Sequence, residues 1–397
     1  MRSHASAVAR VTRKRLAPVL ACFAVASAVV EACTIFVLTD PNRALFCNNE
    51  DWRNPKTRIW FVPGGDGHYG CAYVGFDDGW PQGGLNTKGL AFDWVAGFMD
   101  EWKPGPEMKA VRGNPSQRML ETCATVEDAI AFYRTHQEFG FFRARILVAD
   151  RTGASVIVGA KDGRLLVEEA SQSRGFGFGR RTLDKMLAES SEPNLSNGAK
   201  ILRACLQDGE TATKYSNVFD LRTGDMFFYQ FPEHAEAVKL NLAAELEKGG
   251  HHYDLPQLRE QLTQAPKPLL NNMKRFFVDE FKPIPDKEPR VTERFRSIMR
   301  DASGGSLKAD DYTAELWKEL SPKQAEMQAD LKRLGKLLSM TLVGRWDEDG
   351  QRSYRYRTEF ENATLLQRLV LDGQNRIALI RSESIETKPG AGVGIDR

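Results

Sequence analysis

From residue 33 onward, apolar side chains come in short runs broken by turn residues. CTIFVLT (33–39) is apolar and β-branched, and the PNR turn after it leads into ALFCNNEDW (44–52), so the two predict a hairpin. RIWFVP and CAYVGF predict two more strands on either side of GGDGHYG. GLAFDWVAGF predicts a further one after the turn-rich PQGGLNTK. TVEDAIAFYRTH has helical spacing, with Thr125 as N-cap and Asp128 three residues on. ARILVAD, ASVIVGA and RLLVEEA predict three short strands joined by RTG and KDG turns. NGAKILRACLQ reads as a helix and YSNVFDLRTGDMFFYQF as a hairpin. Strand runs alternating with grouped helices predict an α+β fold with substantial antiparallel sheet.

The character changes near residue 283. KPIPDKEPR is Pro-rich and charged, which predicts a linker over 284–306. A small C-terminal α+β domain is expected over 307–387. It has helices in ADDYTAELWKEL and PKQAEMQADLKRL, then strands in LLSMTLVGRW, RSYRYRTEF, LLQRLVLD and RIALIRS. Tyr354, Tyr356, Thr358 and Phe360 fall on one face of their strand and Arg355, Arg357 and Glu359 on the other, so one face of that sheet is covered. The Gly-rich end, 388–397, reads as a frayed tail.

Charge and cysteine content narrow the partners. With 397 residues and a net charge of +2, nothing favours nucleic acid. Residues 1–32 differ from the rest. Arg2, Arg10, Arg13, Lys14 and Arg15 precede a stretch, 16–30, that is apolar apart from one Pro and one Ser. That stretch is short for a membrane helix, which needs about 20 residues, and suits the core of an export signal. Export to the periplasm or the medium is therefore expected, with residues 1–32 removed. Of six cysteines, Cys22 leaves with the signal. Cys33, Cys47, Cys71, Cys123 and Cys205 remain, an odd number, so one of them has no partner within the chain. No Cys or His spacing suggests a metal site, and no cofactor is expected. Gly65, Gly67 and Gly70 have G-x-G-x-x-G spacing, but a strand follows where a helix is needed to hold phosphate, so a hairpin loop is the better reading. GFGFGRR (175–181) reads as a flexible loop.

Cys33 carries the chemistry. Cleavage after Ala32 makes it the first residue of the mature chain, with thiol and α-amine on one residue. A free α-amine titrates at about 7.7–8.0 and a free thiol at about 8.5, so the amine can take the thiol's proton. While Cys33 is peptide-bonded its nitrogen has no such basicity, so processing switches the chemistry on. A thiolate attacking a carbonyl then needs an acid to orient the amine and donors for the oxyanion. Asp51 is placed to do the first, and Asn48 and Asn49 to polarise or position the substrate.

The run CTIFVLTDPNRALFCNNEDW resembles the opening of the N-terminal-nucleophile linear amide hydrolases, which include choloylglycine hydrolases and penicillin V acylases. GGLNTKGLAFDW and YSNVFDLRTGDMFFY continue the likeness, over roughly residues 33 to 232. The resemblance implies an αββα four-layer sandwich over 33–283 and hydrolysis of a non-peptide amide. It implies Cys33 as nucleophile and amine base, Asp51 as the acid on the α-amine, and Asn49 as the family's Asn. Asn48 stands where bile-salt-type members carry Arg, and Ala96 falls where an oxyanion Asn is common. Lys200 or Arg203 is expected to replace a late Arg. Apart from the resemblance, Asn86 sits in a Gly-rich turn where Asn tolerates left-handed geometry, so it is read as structural ahead of substrate-binding, and Asp93 and Trp94, along the next strand, are candidate pocket-lining residues. Cys47, Cys71, Cys123 and Cys205 are either disulfides or small buried residues.

Three alternatives share these residues. VEAC partly fits a lipoprotein signal, which would anchor Cys33 to a membrane and abolish its nucleophilicity. Loss of turnover would leave a small-molecule binding protein on the same fold. Acyl transfer to a second amine would pass through the same thioester as hydrolysis. The C-terminal domain resembles cystatin- or NTF2-like appendages and is expected to serve packing or contacts in a homo-oligomer.

Overall fold

The computed structural model describes residues 33–388 apart from 66, 112, 232–233, 271–272, 274–280 and 349. The expected export signal and the tail from 389 lie outside the described residues. In chain order come β1 (Thr34–Thr39), β2 (Ala44–Asp51), β3 (Thr57–Val62), β4 (Cys71–Phe76), β5 (Pro81–Asn86), β6 (Ala91–Ala96), α1 (Pro115–Thr122) and α2 (Val126–Thr135). Then follow β7 (Ala144–Ala149), β8 (Ser155–Lys161), β9 (Arg164–Ala170), β10 (Arg174–Gly177), α3 (Arg180–Glu189), α4 (Leu195–Ala204), β11 (Thr213–Asp220), β12 (Asp225–Gln230) and β13 (His234–Asn241). The remainder is α5 (Leu242–Glu247), β14 (His251–Asp254), α6 (Leu258–Gln261), β15 (Lys267–Pro268), α7 (Pro289–Gly304), α8 (Ala314–Leu320), α9 (Gln324–Leu334), β16 (Leu337–Glu348), β17 (Gln351–Phe360), β18 (Ala363–Leu371) and β19 (Ile377–Thr387).

These strands make three antiparallel sheets, so the chain is mixed α+β. A six-stranded sheet runs β10-β1-β2-β11-β12-β13. A nine-stranded one runs β15-β14-β3-β4-β5-β6-β7-β8-β9, and a four-stranded one runs β16-β17-β18-β19. The two large sheets pack on each other. Ile35, Val37 and Phe46 of the first share one core with Phe61, Val74, Leu147 and Ala149 of the second. On the other face of the six-stranded sheet, Phe36, Leu38 and Leu45 pack with Leu183 of α3 and Ile201 and Leu202 of α4. On the other face of the nine-stranded sheet, Tyr73, Phe92 and Val148 pack with Leu120 of α1 and Ile130 and Tyr133 of α2. With both faces covered, β2 is buried along its whole length, so its polar residues must find partners inside the protein.

Several elements escaped the hydrophobic pattern. PQGGLN is strand β5, and its glycines are there because of what lies opposite. A Cβ on Gly83 would sit 2.2 Å from Asp93 Oδ2 and one on Gly84 2.7 Å from the Ala72 carbonyl. GFGFGRR is an edge strand, β10, followed by α3. The expected linker contains α7, whose Phe295, Ile298, Met299 and Ala302 recur at helical spacing and are buried, the first three in one core with the C-terminal sheet. The prolines of that stretch lie before the helix or at its first position, where proline is tolerated. The capping box at Thr125 and Asp128 is present as expected. So is the alternation in β17, with Tyr354, Tyr356, Thr358 and Phe360 buried.

Candidate functional site

Cys33 enters β1 beside the edge strand β10. Phe178 N–H donates to the Cys33 carbonyl at 2.7 Å, and Thr34 Oγ1 donates to the Phe178 carbonyl at 2.9 Å. Gly177 (φ +118°) allows this approach, because a Cβ there would lie 2.2 Å from the Cys33 oxygen. Cys33 itself has φ 69°, a left-handed conformation that costs a side chain with a Cβ about 1–2 kcal/mol. Register pairs Thr34 with Asn49, which brings the end of β2 against Cys33.

Asp51 meets the Cys33 nitrogen. The Cys33 N–H donates to Asp51 Oδ2 at 3.0 Å, while Thr213 Oγ1 donates to Oδ1 at 2.5 Å. Burial raises the Asp51 carboxyl to about 7, against the pull of Thr213, the Cys33 N–H and the Lys214 charge. The thiol points between the sheets. Its Sγ lies 3.7 Å from Glu50 Oε1, as donor, and accepts from Asp51 N–H at 3.5 Å. Burial, and then the charges of Glu50 and Asp51, push the thiol well above its ordinary range. While residue 32 is attached, Cys33 is therefore a neutral, poorly nucleophilic thiol.

Around it lies a cluster of buried polar groups. Asn48 Nδ2 donates to Glu50 Oε2 at 3.4 Å. Asp93 of β6 reaches the cluster from the facing sheet, and Tyr215 and Asn217 come from β11, in register with Glu50 and Asn48. Burial raises both Glu50 and Asp93, and each carboxyl also feels a neighbouring one, Asp51 for Glu50 and Glu50 for Asp93. Asn48 Oδ1, Asp93 Oδ2 and both amide atoms of Asn217 are buried without a hydrogen-bond partner in the protein. Buried amides left this way are rare and mark places where a ligand or water belongs.

Only part of the expected site assembles here. Cys33 and Asp51 meet, and Asn48 lies in the cluster. Asn49 does not. As the strand alternates it faces the helix layer, where Nδ2 donates to the carbonyls of Leu202 (2.9 Å) and Cys205 (3.2 Å) and Oδ1 accepts from Ser216 (2.7 Å). Both of its amide hydrogens are used, so it has no donor left to offer a substrate. Asn86 repeats the arrangement on α1, donating to Leu120 O (2.7 Å) and Cys123 O (2.8 Å). Trp94 follows Asp93 on the opposite face of β6, 5.7 Å from the Phe141 ring. Lys200 and Arg203 lie on the outward side of α4, in a surface hollow with Leu195 and Tyr229, and the Arg203 guanidinium stacks 4.6 Å from the Phe231 ring. A whole sheet separates them from the thiol. All five cysteines are buried, and none of them is in a disulfide.

Glu50, Tyr215 and Asn217 carried no role in the sequence, and Asp93 only that of lining the pocket beside Trp94. The available signal was a polar residue at an inward position of an otherwise apolar face: Ala44, Phe46, Asn48, Glu50 in β2, and Ala91, Asp93, Val95 in β6. Among the described residues no group of three or more His, Cys, Asp or Glu is arranged to hold a metal ion. No helix among them is long and apolar enough to cross a membrane.

No protein-family model matches the sequence, and no curated protein matches it. Among solved structures the chain is similar to penicillin V acylase from Agrobacterium tumefaciens, with 14% identity over 60% of this chain and 99% of that one and a TM-score of 0.45. It is also similar to a mutant of the conjugated bile acid hydrolase from Clostridium perfringens, with 15% identity over 56% of this chain and 96% of that one and a TM-score of 0.40.

Proposed function

We propose that this chain is an exported amidase of the N-terminal-nucleophile class, with the αββα layering of that class, active once residues 1–32 are removed. The observation that carries the reading is the 3.0 Å bond from the Cys33 nitrogen to Asp51, itself fixed by Thr213. When that nitrogen becomes a free amine, the same carboxylate orients it over its own thiol. Release also frees Cys33 from its left-handed φ, because the torsion no longer carries a preceding carbonyl.

The chemistry then follows from the positions. The α-amine takes the Sγ proton and the thiolate attacks the amide carbon. The amides of Asn48 and Asn217, the second of which lacks a protein partner, serve as donors to the oxyanion. As the tetrahedral intermediate collapses, the ammonium returns its proton to the leaving nitrogen, and the acyl group stays on Sγ as a thioester. Water, deprotonated by the amine, releases the acid and restores the thiol. The substrate is a small-molecule amide, and neither metal nor cofactor takes part.

The test is intact mass and N-terminal sequencing of the secreted protein with and without iodoacetamide, followed by a panel of chromogenic amides. The reading expects a chain starting at unmodified Cys33 that labels rapidly and hydrolyses at least one amide. A diacylglyceryl group on Cys33, or a chain in which Cys33 stays internal, would end it.

A further inference from the structure

A cavity of about 650 Å³ lies between the part of the chain that carries the two large sheets, the first unit, and the part that carries α7–α9 and the four-stranded sheet, the C-terminal unit. Trp52, Trp94 and Phe142 line it from one side and Met299, Leu365 and Ile385 from the other. Its size and its aromatic and aliphatic walls are those of a small-molecule site. The charged residues on the walls are engaged. Arg143 pairs with Glu326 (3.0 Å) and with Asp330, and Arg381 with Asp77 (3.5 Å) and Asp78 (3.4 Å). Lys323 pairs with Glu319 (3.9 Å), which also holds Arg53 of the first unit at 3.2 Å. Glu138 accepts from Gly140 N–H and Ser116 Oγ, each at 3.0 Å. These ion pairs tie the two units together around the cavity, and a charged ligand would have to break one of them to gain a partner.

The cavity comes nearest the candidate site along the chain at Trp52. Trp52, on its wall, follows Asp51 directly in the chain. On the other side of Asp51 is an open polar hollow of about 430 Å³, lined by Pro55, Gln207, Thr213, Lys214 and Gln230, and Thr213 is the residue that holds Asp51. The segment from Trp52 to Pro55 thus runs between a mainly apolar space and a mainly polar one. In an acyl-enzyme the acyl group stays bound while the amine must reach water, so the apolar space suits the acyl chain and the polar one the amine.

We infer that the cavity binds the long apolar chain of an uncharged molecule and that the C-terminal unit is half of this site. Resting on the amidase reading above, the substrates are long-chain acyl amides with a neutral polar amine portion.

Binding is measured on the Cys33→Ala chain, which cannot turn over, by quenching of tryptophan fluorescence with dodecanamide, dodecanoate, dodecylamine and acetamide. Dodecanamide is expected to bind at least ten-fold more tightly than the other three. Ala302→Trp, from the C-terminal wall, and Ala96→Phe, at an exposed wall position of β6, each weaken it ten-fold or more. Equal binding of all four ligands, or dodecanamide binding untouched in both variants with their thermal transitions intact, overturns the inference. The two readings fail separately. Chain-selective binding without hydrolysis of any amide by the released wild-type chain removes the amidase and keeps the cavity. Hydrolysis that is as fast for acetyl as for dodecanoyl anilides keeps the amidase and removes the cavity's role.

Discussion

Neighbouring residues of β2 face opposite sides of one sheet, and the two sides differ in how fully their polar groups are bonded. On the helix side Asn49 uses both amide hydrogens and its oxygen, binding a strand to the end of α4. On the inter-sheet side Asn48 keeps an unpartnered oxygen and Glu50 shares an apolar interior with Asp93, each carboxyl pushed up by burial. Residue type is therefore a poor guide to role within this strand. A saturated buried polar group is structural. One left with spare capacity beside a thiol is available for chemistry.

The largest effect that sharpens this contrast is expected at Asp51, which belongs to the helix side by alternation yet reaches the Cys33 nitrogen. In the chain released at Cys33, Asp51→Asn is expected to lower kcat/KM for an amide substrate by about 100-fold or more, the usual scale for losing an acid–base partner. A fall of less than three-fold in Asp51→Asn would show that the carboxylate does not orient the amine.

A second effect separates the chain before and after release. Raised carboxyl groups bind protons more tightly in the folded protein, so their contribution is fully present below the ordinary value and is lost as pH rises through the folded one. Asp51, ordinarily at 3.8 and here about 7, is linked to a loss of up to roughly 4 kcal/mol across that window. Glu50 and Asp93 act in the same direction. Ion-paired acids such as Asp254, held at about 2, lose their contribution only at lower pH and leave this window clear. Urea unfolding of the unreleased chain is expected to show lower stability at pH 8 than at pH 5. Release puts an ammonium beside Asp51, lowers its carboxyl, and shrinks the difference. An equal pH dependence in both forms would place the raised carboxyl elsewhere.

How much of this was legible in the sequence depends on the range of the interactions involved. Cys33 and Asp51 were readable because a short turn brings one strand back along the other, and hairpin pairing is local. Strands with period-two faces were readable for the same reason. Glycine-rich β5 and β10 were not, since their glycines answer to partners distant in the chain, Asp93 for Gly83 and the Cys33 carbonyl for Gly177. Lys200 and Arg203 show the converse error. Their charge suggested a site, but the apolar stripe of α4 (Leu195, Gly198, Ile201, Leu202) turns them outward. Tyr215 and Asn217 come into the site only through the pairing of β11 with β2, strands far apart in the chain, which no local pattern encodes.

The smallest effect compares Asn49 with its counterpart on the other large sheet. Asn86 of β5 donates to the carbonyls of Leu120 and Cys123 at the end of α1 as Asn49 does to Leu202 and Cys205 at the end of α4. Each pair of carbonyls is three residues apart, and each helix has a cysteine as its C-cap. A helix end leaves such carbonyls short of intrahelical partners, and the Leu202 carbonyl has only the Cys205 N–H (3.1 Å) besides Asn49, so truncating either asparagine removes a donor from each of two buried carbonyls. Asn49→Ala and Asn86→Ala are each expected to cost about 2 kcal/mol in urea unfolding, with iodoacetamide labelling of the released Cys33 unchanged in rate. A loss of labelling confined to Asn49→Ala, with stability equal in the two variants, would return Asn49 to the reactive side of β2.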